Sequence, residues 1–368
     1  MSAEAAADCA AAGSPAAEAE RVRRQALRIA FAVAGGMVMM VAAGWPMPFL
    51  VPMFAAQFLV ASRRPMQPAQ AFGMAILIIS VGQVLALAVG LLGDRPVVLL
   101  AVLWLLYFAC FLAQARGRSV QAMFLVLVIA VMVPLMEMLQ QDLDRSMVAL
   151  LVAGVMGGTL LAWAAHAVFP DPGCDGGTAA AQAPAAAERP AHRAAANASI
   201  LLAAVVLCLV DSRLSSAIVI PVTVASLLGQ FDLAKSRRAA LGLMVVNIMG
   251  GVVASLAFTI VEARPTLLGL FLVVLLVGLL FGAAASAKPE TGKVHAGALT
   301  TFLILLGLGI SPLPASTPES FATRIAYVSF AVLYALWACL LLWPRRSETP
   351  GPGVSTPRAR EARRCQAT

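Results

Sequence analysis

Between residues 27 and 343 the chain is a succession of apolar runs, each long enough or nearly long enough to cross a bilayer, separated by short segments in which the charged residues gather. That pattern excludes a water-soluble core. Of 368 residues, 61% are hydrophobic and 12% charged, against about half and about a quarter in soluble domains. An all-α, polytopic membrane protein follows, because a helix satisfies its backbone donors and acceptors internally where no water is present.

Twelve transmembrane helices are predicted, at about residues 27–45, 48–62, 70–92, 97–114, 120–138, 146–168, 196–210, 214–230, 239–261, 265–287, 296–313 and 321–343. The second and seventh fall short of the roughly 17 to 25 residues a crossing takes, and the eighth is marginal. Around them the reading places an acidic, Ala-rich tail at 1–20, expected to be disordered, and a first six-helix unit at 21–170. An Ala/Gly/Pro-rich linker at 171–193, a second unit at 194–346 and a basic tail at 347–368 follow. The last is expected to lie against anionic lipid headgroups.

Charge orients the spans. Twenty-one of the 26 basic residues fall on one set of alternate segments, and Arg95, Arg145, Arg213, Arg264 and Arg324 are the five on the other. By the positive-inside rule both termini are cytoplasmic. The net charge of +8 is therefore topological, and no nucleic-acid partner is expected, since the basic residues come in pairs between apolar runs without clustered aromatics. Cys9, Cys110, Cys174, Cys208, Cys339 and Cys365 form no CxxC and have no histidine at ligand spacing. Neither a disulfide framework nor a metal site nor any cofactor is expected.

The second half repeats the first. An offset of 169 residues aligns Pro52 with Pro221, Gly73 with Gly242, Gly82 with Gly251, and Arg95-Pro96 with Arg264-Pro265; an offset of 174 then aligns Trp163 with Trp337 and Pro170 with Pro344. Six crossings per unit is an even number, so the two units are parallel and related by a pseudo-two-fold along the membrane normal.

A basic stretch runs into an apolar helix (Arg21 to Val41), followed by a Gly-Trp-Pro-x-Pro turn (Gly44 to Pro48) and a short Pro-containing helix ending in Ser-Arg-Arg (Ser62 to Arg64). A third helix carries Gly73 and Gly82, and an Ala-Arg-Gly-Arg loop precedes the fifth. In these features, over about residues 24 to 346, the chain resembles the fusaric-acid-resistance and aromatic-acid-exporter superfamily. Gln70 to Leu77 stands where many members carry Arg-x-x-Gly-Thr-x-x-Gly, and the large cytoplasmic domain that many carry after each unit has no counterpart, as in a short branch of unknown function. The resemblance implies efflux of small, often aromatic, organic anions, with a membrane-fusion-type periplasmic adaptor and an outer-membrane channel as partners.

Polar groups at membrane depth are costly unless they face protein or water, so the few present are candidates for a substrate path. A short, Pro-interrupted helix at the same place in both halves points to a site at the repeat interface. Pro52 with Gln57, and Pro221 with Thr223 and Ser226, meet that description; a proline in a helix interior would free a carbonyl. Gln83 and Asn247 lie near mid-depth. Arg28, Arg95 and Arg264 are the candidates for attracting an anion, the last two as a positive rim on the side otherwise short of positive charge. No Asp or Glu lies deep in a predicted span, which leaves His166 and His295 as the proton-linked candidates. Gly154 and Gly158 have the GxxxG spacing of a close helix contact.

An exporter of organic anions is the reading these features support. A passive anion channel and a non-transporting scaffold for an adaptor are the alternatives, the reading allows a homo-oligomer, and no nucleophile-base pair or phosphate loop marks an enzyme.

Overall fold

The computed structural model describes residues 15–62, 64–117, 120–139, 144–170, 190–210, 219–231, 237–287 and 289–311, with positions 330, 333–335, 337 and 338. Eleven helices are bounded within them: α1 (Pro15–Ala42), α2 (Leu50–Ala61), α3 (Pro68–Leu92), α4 (Pro96–Ala115), α5 (Val120–Leu139), α6 (Asp144–Val168), α7 (Pro190–Val210), α8 (Val219–Phe231), α9 (Arg237–Ala263), α10 (Leu267–Ala287) and α11 (Pro289–Ile310). The described residues contain no strand. The expected twelfth span falls mostly outside them, although its six described positions are helical.

Six of these helices carry a stretch long and apolar enough to cross a membrane: Glu18–Ala42, Pro68–Leu92, Pro96–Ala115, Val148–Val168, Ala191–Val210 and Leu267–Ala287. Shorter apolar stretches are Leu50–Ala61, Ala122–Leu135, Ile248–Ala263 and Val294–Ile310. The chain has the make-up of a multi-pass membrane protein.

Helix ends depart from the hydropathy reading in two places. α1 opens at Pro15, so the end of the tail expected to be disordered is helical. Glu18 lies in the first turn, and Glu20 pairs with Arg24 at 2.8 Å one turn on, a spacing that supports a helix whatever its hydropathy. α7 opens at Pro190 inside the expected linker. Its first turn and a half is Ala-rich and interrupted by His192 and Arg193, which hides it from a search for apolar runs. With 21 residues, α7 is long enough to cross. α8 is described over 13 residues, Val219–Phe231.

Burial divides the helices into layers. α5 is buried without a break from Leu125 to Leu135, α2 from Leu50 to Ala56, α8 from Ile220 to Ala225 and α11 from Ala298 to Leu306. A helix apolar on every side must be covered on every side, and these four form the centre: α2 touches α11, α5 touches α8, and α8 touches α11. Outside them lie α3, α4, α9 and α10, each with an exposed apolar face, such as Leu268, Leu272, Leu276 and Leu280 at every fourth position of α10.

Two long helix pairings flank this centre. α1 packs along α10, and α4 along α7. At the first seam Gly278 and Gly282 sit on Ala26, Ile29 and Ala30, where a methyl on Gly278 would meet the Ala30 Cα at 2.9 Å. At the second, Trp104 Nε1 donates to the Ser199 hydroxyl at 3.0 Å while its ring stacks on Phe108. Within the first half, Gly154, Gly157 and Gly158 of α6 lie on α2, and a methyl on Gly158 would stand 2.9 Å from the backbone nitrogen of Ala55. The GxxxG spacing thus marks a backbone-to-backbone approach.

Candidate functional site

The polar side chains of the central helices are few. Thr223 of α8 and Thr300 and Thr301 of α11 are buried, and Gln57 of α2 is half-buried. Thr300 donates to the Ala296 carbonyl at 3.0 Å, one turn back in its own helix, the usual way for a hydroxyl to be satisfied inside an apolar bundle.

Pro52 is the third residue of α2. The first four N–H groups of a helix have no intrahelical acceptor, so this proline removes no helical bond, and the carbonyl that sequence reasoning expected it to free is not freed. The residues before Val219, on which the same question turns for Pro221, lie outside the described residues. The main chain enters α2 through Leu50 N–H on Met47 and Met53 N–H on Phe49 instead. Both prolines face protein. A methyl on Gly36 of α1 would come 3.4 Å from the Pro52 Cβ, and Pro221 is buried.

A carbonyl is freed elsewhere, at a place the sequence reading passed over. Pro134 lies inside α5, so the carbonyl four residues earlier, on Ala130, has no N–H to accept. Tyr107 of α4 is fully buried, and its hydroxyl donates to that oxygen at 3.1 Å. The signal was present as a proline in the middle of a predicted span; the donor was not legible, because Tyr107 lies 23 residues away on another helix.

Arg28 is buried in α1 and directs its donors at fixed protein acceptors. Nε reaches the Phe169 carbonyl at 2.8 Å and a terminal nitrogen the same oxygen at 2.5 Å, while the other terminal nitrogen reaches Gln25 Oε1 at 3.2 Å. Gln25 in turn donates to the Leu59 carbonyl at 2.5 Å in the last turn of α2. Arg24 adds a bond to the Pro170 carbonyl at 2.9 Å. One cluster thus ties α1 to the C-terminal ends of α2 and α6, where orphan carbonyls and the helix dipoles favour a cation. At the 169-residue offset, Arg193 and the fully buried Asn197 of α7 stand in the places of Arg24 and Arg28.

Other candidates are dispersed. Gln83 is exposed on the outer face of α3, away from the central helices. Arg95 and Arg264 are exposed just before α4 and α10, beside exposed Asp94 and Glu262, and neither makes an ion pair to a described residue. His166 is half-buried near the end of α6, its Nδ1 donating to the Ala162 carbonyl at 2.8 Å; His295 is half-buried early in α11. The side chains of Ser226 and Asn247 lie outside the described residues, though their backbones belong to α8 and α9. Cys110 and Cys208 are buried thiols.

Residues 25–164, from α1 to near the end of α6, match a family described as a protein of unknown function, DUF2955. No curated protein and no solved structure matches the chain.

Proposed function

We propose that the chain is an inner-membrane exporter of small organic anions, aromatic or amphiphilic, formed by two parallel six-helix units with both termini in the cytoplasm. The observation that carries this reading is the place of α2 and α8. Each carries one of the two prolines that the 169-residue offset aligns, Pro52 and Pro221, and each touches the fifth helix of the other half, α2 on α11 and α8 on α5. Short or proline-containing helices at corresponding positions beside a repeat interface are where transporters of this build hold their substrates.

The reciprocal seams support the parallel repeat, since α1 with α10 and α4 with α7 are the same pairing read from either half. The resemblance to the fusaric-acid-resistance and aromatic-acid-exporter superfamily supports the substrate class and a membrane-fusion-type adaptor with an outer-membrane channel beyond it. Its opening features, from Arg21 to Arg64, overlap the stretch matched by the family of unknown function. The anion enters between the units, held by dispersion against apolar side chains and by hydroxyl and amide contacts from Thr223 and Gln57. Arg95 and Arg264 supply the positive rim, and His166 and His295 are the groups available for proton coupling.

The scarcity of deep carboxylates favours a passive channel as the second reading. Purified protein in liposomes, assayed with an aromatic carboxylate, separates them. Accumulation against a gradient on imposing a pH difference is expected of the exporter. Downhill current alone would make the chain a channel, and no movement with the adaptor present would leave a scaffold. Thr223→Val with Gln57→Leu should lower the flux about tenfold, whereas Thr159→Val in α6, whose hydroxyl bonds Val155 in its own helix, should change it less than about twofold. Equal effects would remove the central helices from the path.

A further inference from the structure

Along α3, Gly73, Ile76, Ser80, Gln83, Leu87 and Gly90 follow one another at alternating steps of three and four, and all six are exposed. That spacing is the seam of a left-handed helix pair, the geometry most membrane bundles adopt. Gln83 lies about 5 Å along the axis from the middle of α3, taking 1.5 Å per residue. At that depth neither water nor a headgroup can bond its amide, and neither Gln83 nor Ser80 has a side-chain hydrogen bond to any described residue.

The second half contains its own comparison. At the 169-residue offset, Met249, Val252, Leu256 and Thr259 of α9 occupy the places of Ser80, Gln83, Leu87 and Gly90, and they are exposed in the same way. Three are apolar, and the hydroxyl of Thr259 donates to Ser255 in its own helix at 3.1 Å. The α9 face therefore asks nothing of its surroundings that lipid cannot give. On the corresponding α3 face an amide and a second hydroxyl are left to find partners, and glycines flank them where a second backbone could come close.

We propose that the outer face of α3 is the interface with a second copy of this chain, paired about a two-fold axis through Gln83. A two-fold interface needs a patch complementary to itself, and a primary amide is one: its N–H donates while its oxygen accepts, so the two Gln83 side chains satisfy each other reciprocally. The six seam positions carry no charge that such an axis would set against its like. A lone polar residue in an otherwise apolar seam also fixes its register. The inference rests on the membrane-spanning character of α3 and holds whether or not the chain transports anything.

Oxidative cross-linking in membranes tests it. With the six native cysteines replaced by alanine, Leu87→Cys, one turn from Gln83 on the same seam, should give a species of twice the chain's mass, and Leu256→Cys, at the corresponding outward place on α9, should not. A species of any other mass would mean that a different chain occupies the face, and absent or equal cross-linking at the two positions would mean that lipid does; each overturns the proposal. Because the cysteine-free background could fold poorly, energy transfer between fluorescent-protein fusions of the otherwise native chain in dilute proteoliposomes provides a second measurement. Gln83→Leu should weaken association about tenfold, and Gln83→Asn should retain most of it. Transfer no greater than for a monomeric membrane protein, or unchanged by Gln83→Leu, would also overturn the assignment.

Discussion

A guanidinium inside an apolar bundle is tolerated only if its donors have acceptors, and Arg28 finds them on Phe169 and Gln25. Arg28→Ala should therefore destabilise the protein by about 2 kcal/mol, with Arg28→Lys intermediate, in thermal unfolding of the detergent-solubilised chain. No loss would mean that the cluster does not hold α1 to the end of α6. Tyr107 permits a sharper test, because Pro134 supplies the reason for its bond. Tyr107→Phe alone should cost about 1 kcal/mol by stranding the Ala130 carbonyl; in a Pro134→Ala background, where residue 134 regains its N–H, the same change should cost close to nothing. Equal costs in the two backgrounds would disconnect the tyrosine from the proline. These roles were half legible in the sequence. Arg28 stood out as a basic residue at the start of an apolar run, but its acceptor lies 141 residues away, and no local spacing encodes that distance. Read as an attractor of anions, it is placed by the fold as a clamp on helix ends.

Hydropathy finds the middles of helices better than their ends. α3 and α4 begin at Pro68 and Pro96, close to the predicted starts, because proline is favoured in a first turn and the apolar residues follow at once. α1 and α7 extend beyond their apolar runs into Glu, Arg, His and Ala, residues with helix propensity and no membrane signal. The GxxxG pair of α6 was legible as a contact, though its partner, α2, was not. Gly158 is where that contact is tightest. Gly158→Ala puts a methyl 2.8 Å from the Phe54 Cβ and 2.9 Å from the Ala55 nitrogen, and the backbone atom cannot rotate away. A loss of about 1 to 3 kcal/mol is expected. Gly35→Ala, with nothing within 4 Å of the added methyl, should be neutral or slightly stabilising, alanine being the better helix former. Thermal unfolding of the two variants side by side checks this, and equal melting points would contradict the approach of α6 to α2.

Across the described residues the two halves of the chain meet along several helices. α1 packs along α10 as well as on α2 and α6, α4 packs along α7, and α2 and α8 touch α11 and α5. The contacts are apolar and small-residue, with Gly278 and Gly282 against Ala26 and Ala30 at one seam and Trp104 bonded to Ser199 at the other. Lipid is as apolar as these surfaces, so the association rests on close packing and on the few interhelical hydrogen bonds, and salt should have little hold on it. A protease site placed between residues 180 and 181 makes this measurable. After cleavage in membranes and extraction in mild detergent, the halves should elute together, in high salt as in low. Introducing Gly278→Leu should then release them, because the side chain would have to enter the space of the Ala30 backbone. If the halves separate on cleavage alone, the covalent connection rather than the packing of α1 on α10 and of α4 on α7 would be holding the molecule together, and the route proposed between the two halves would lose its structural basis.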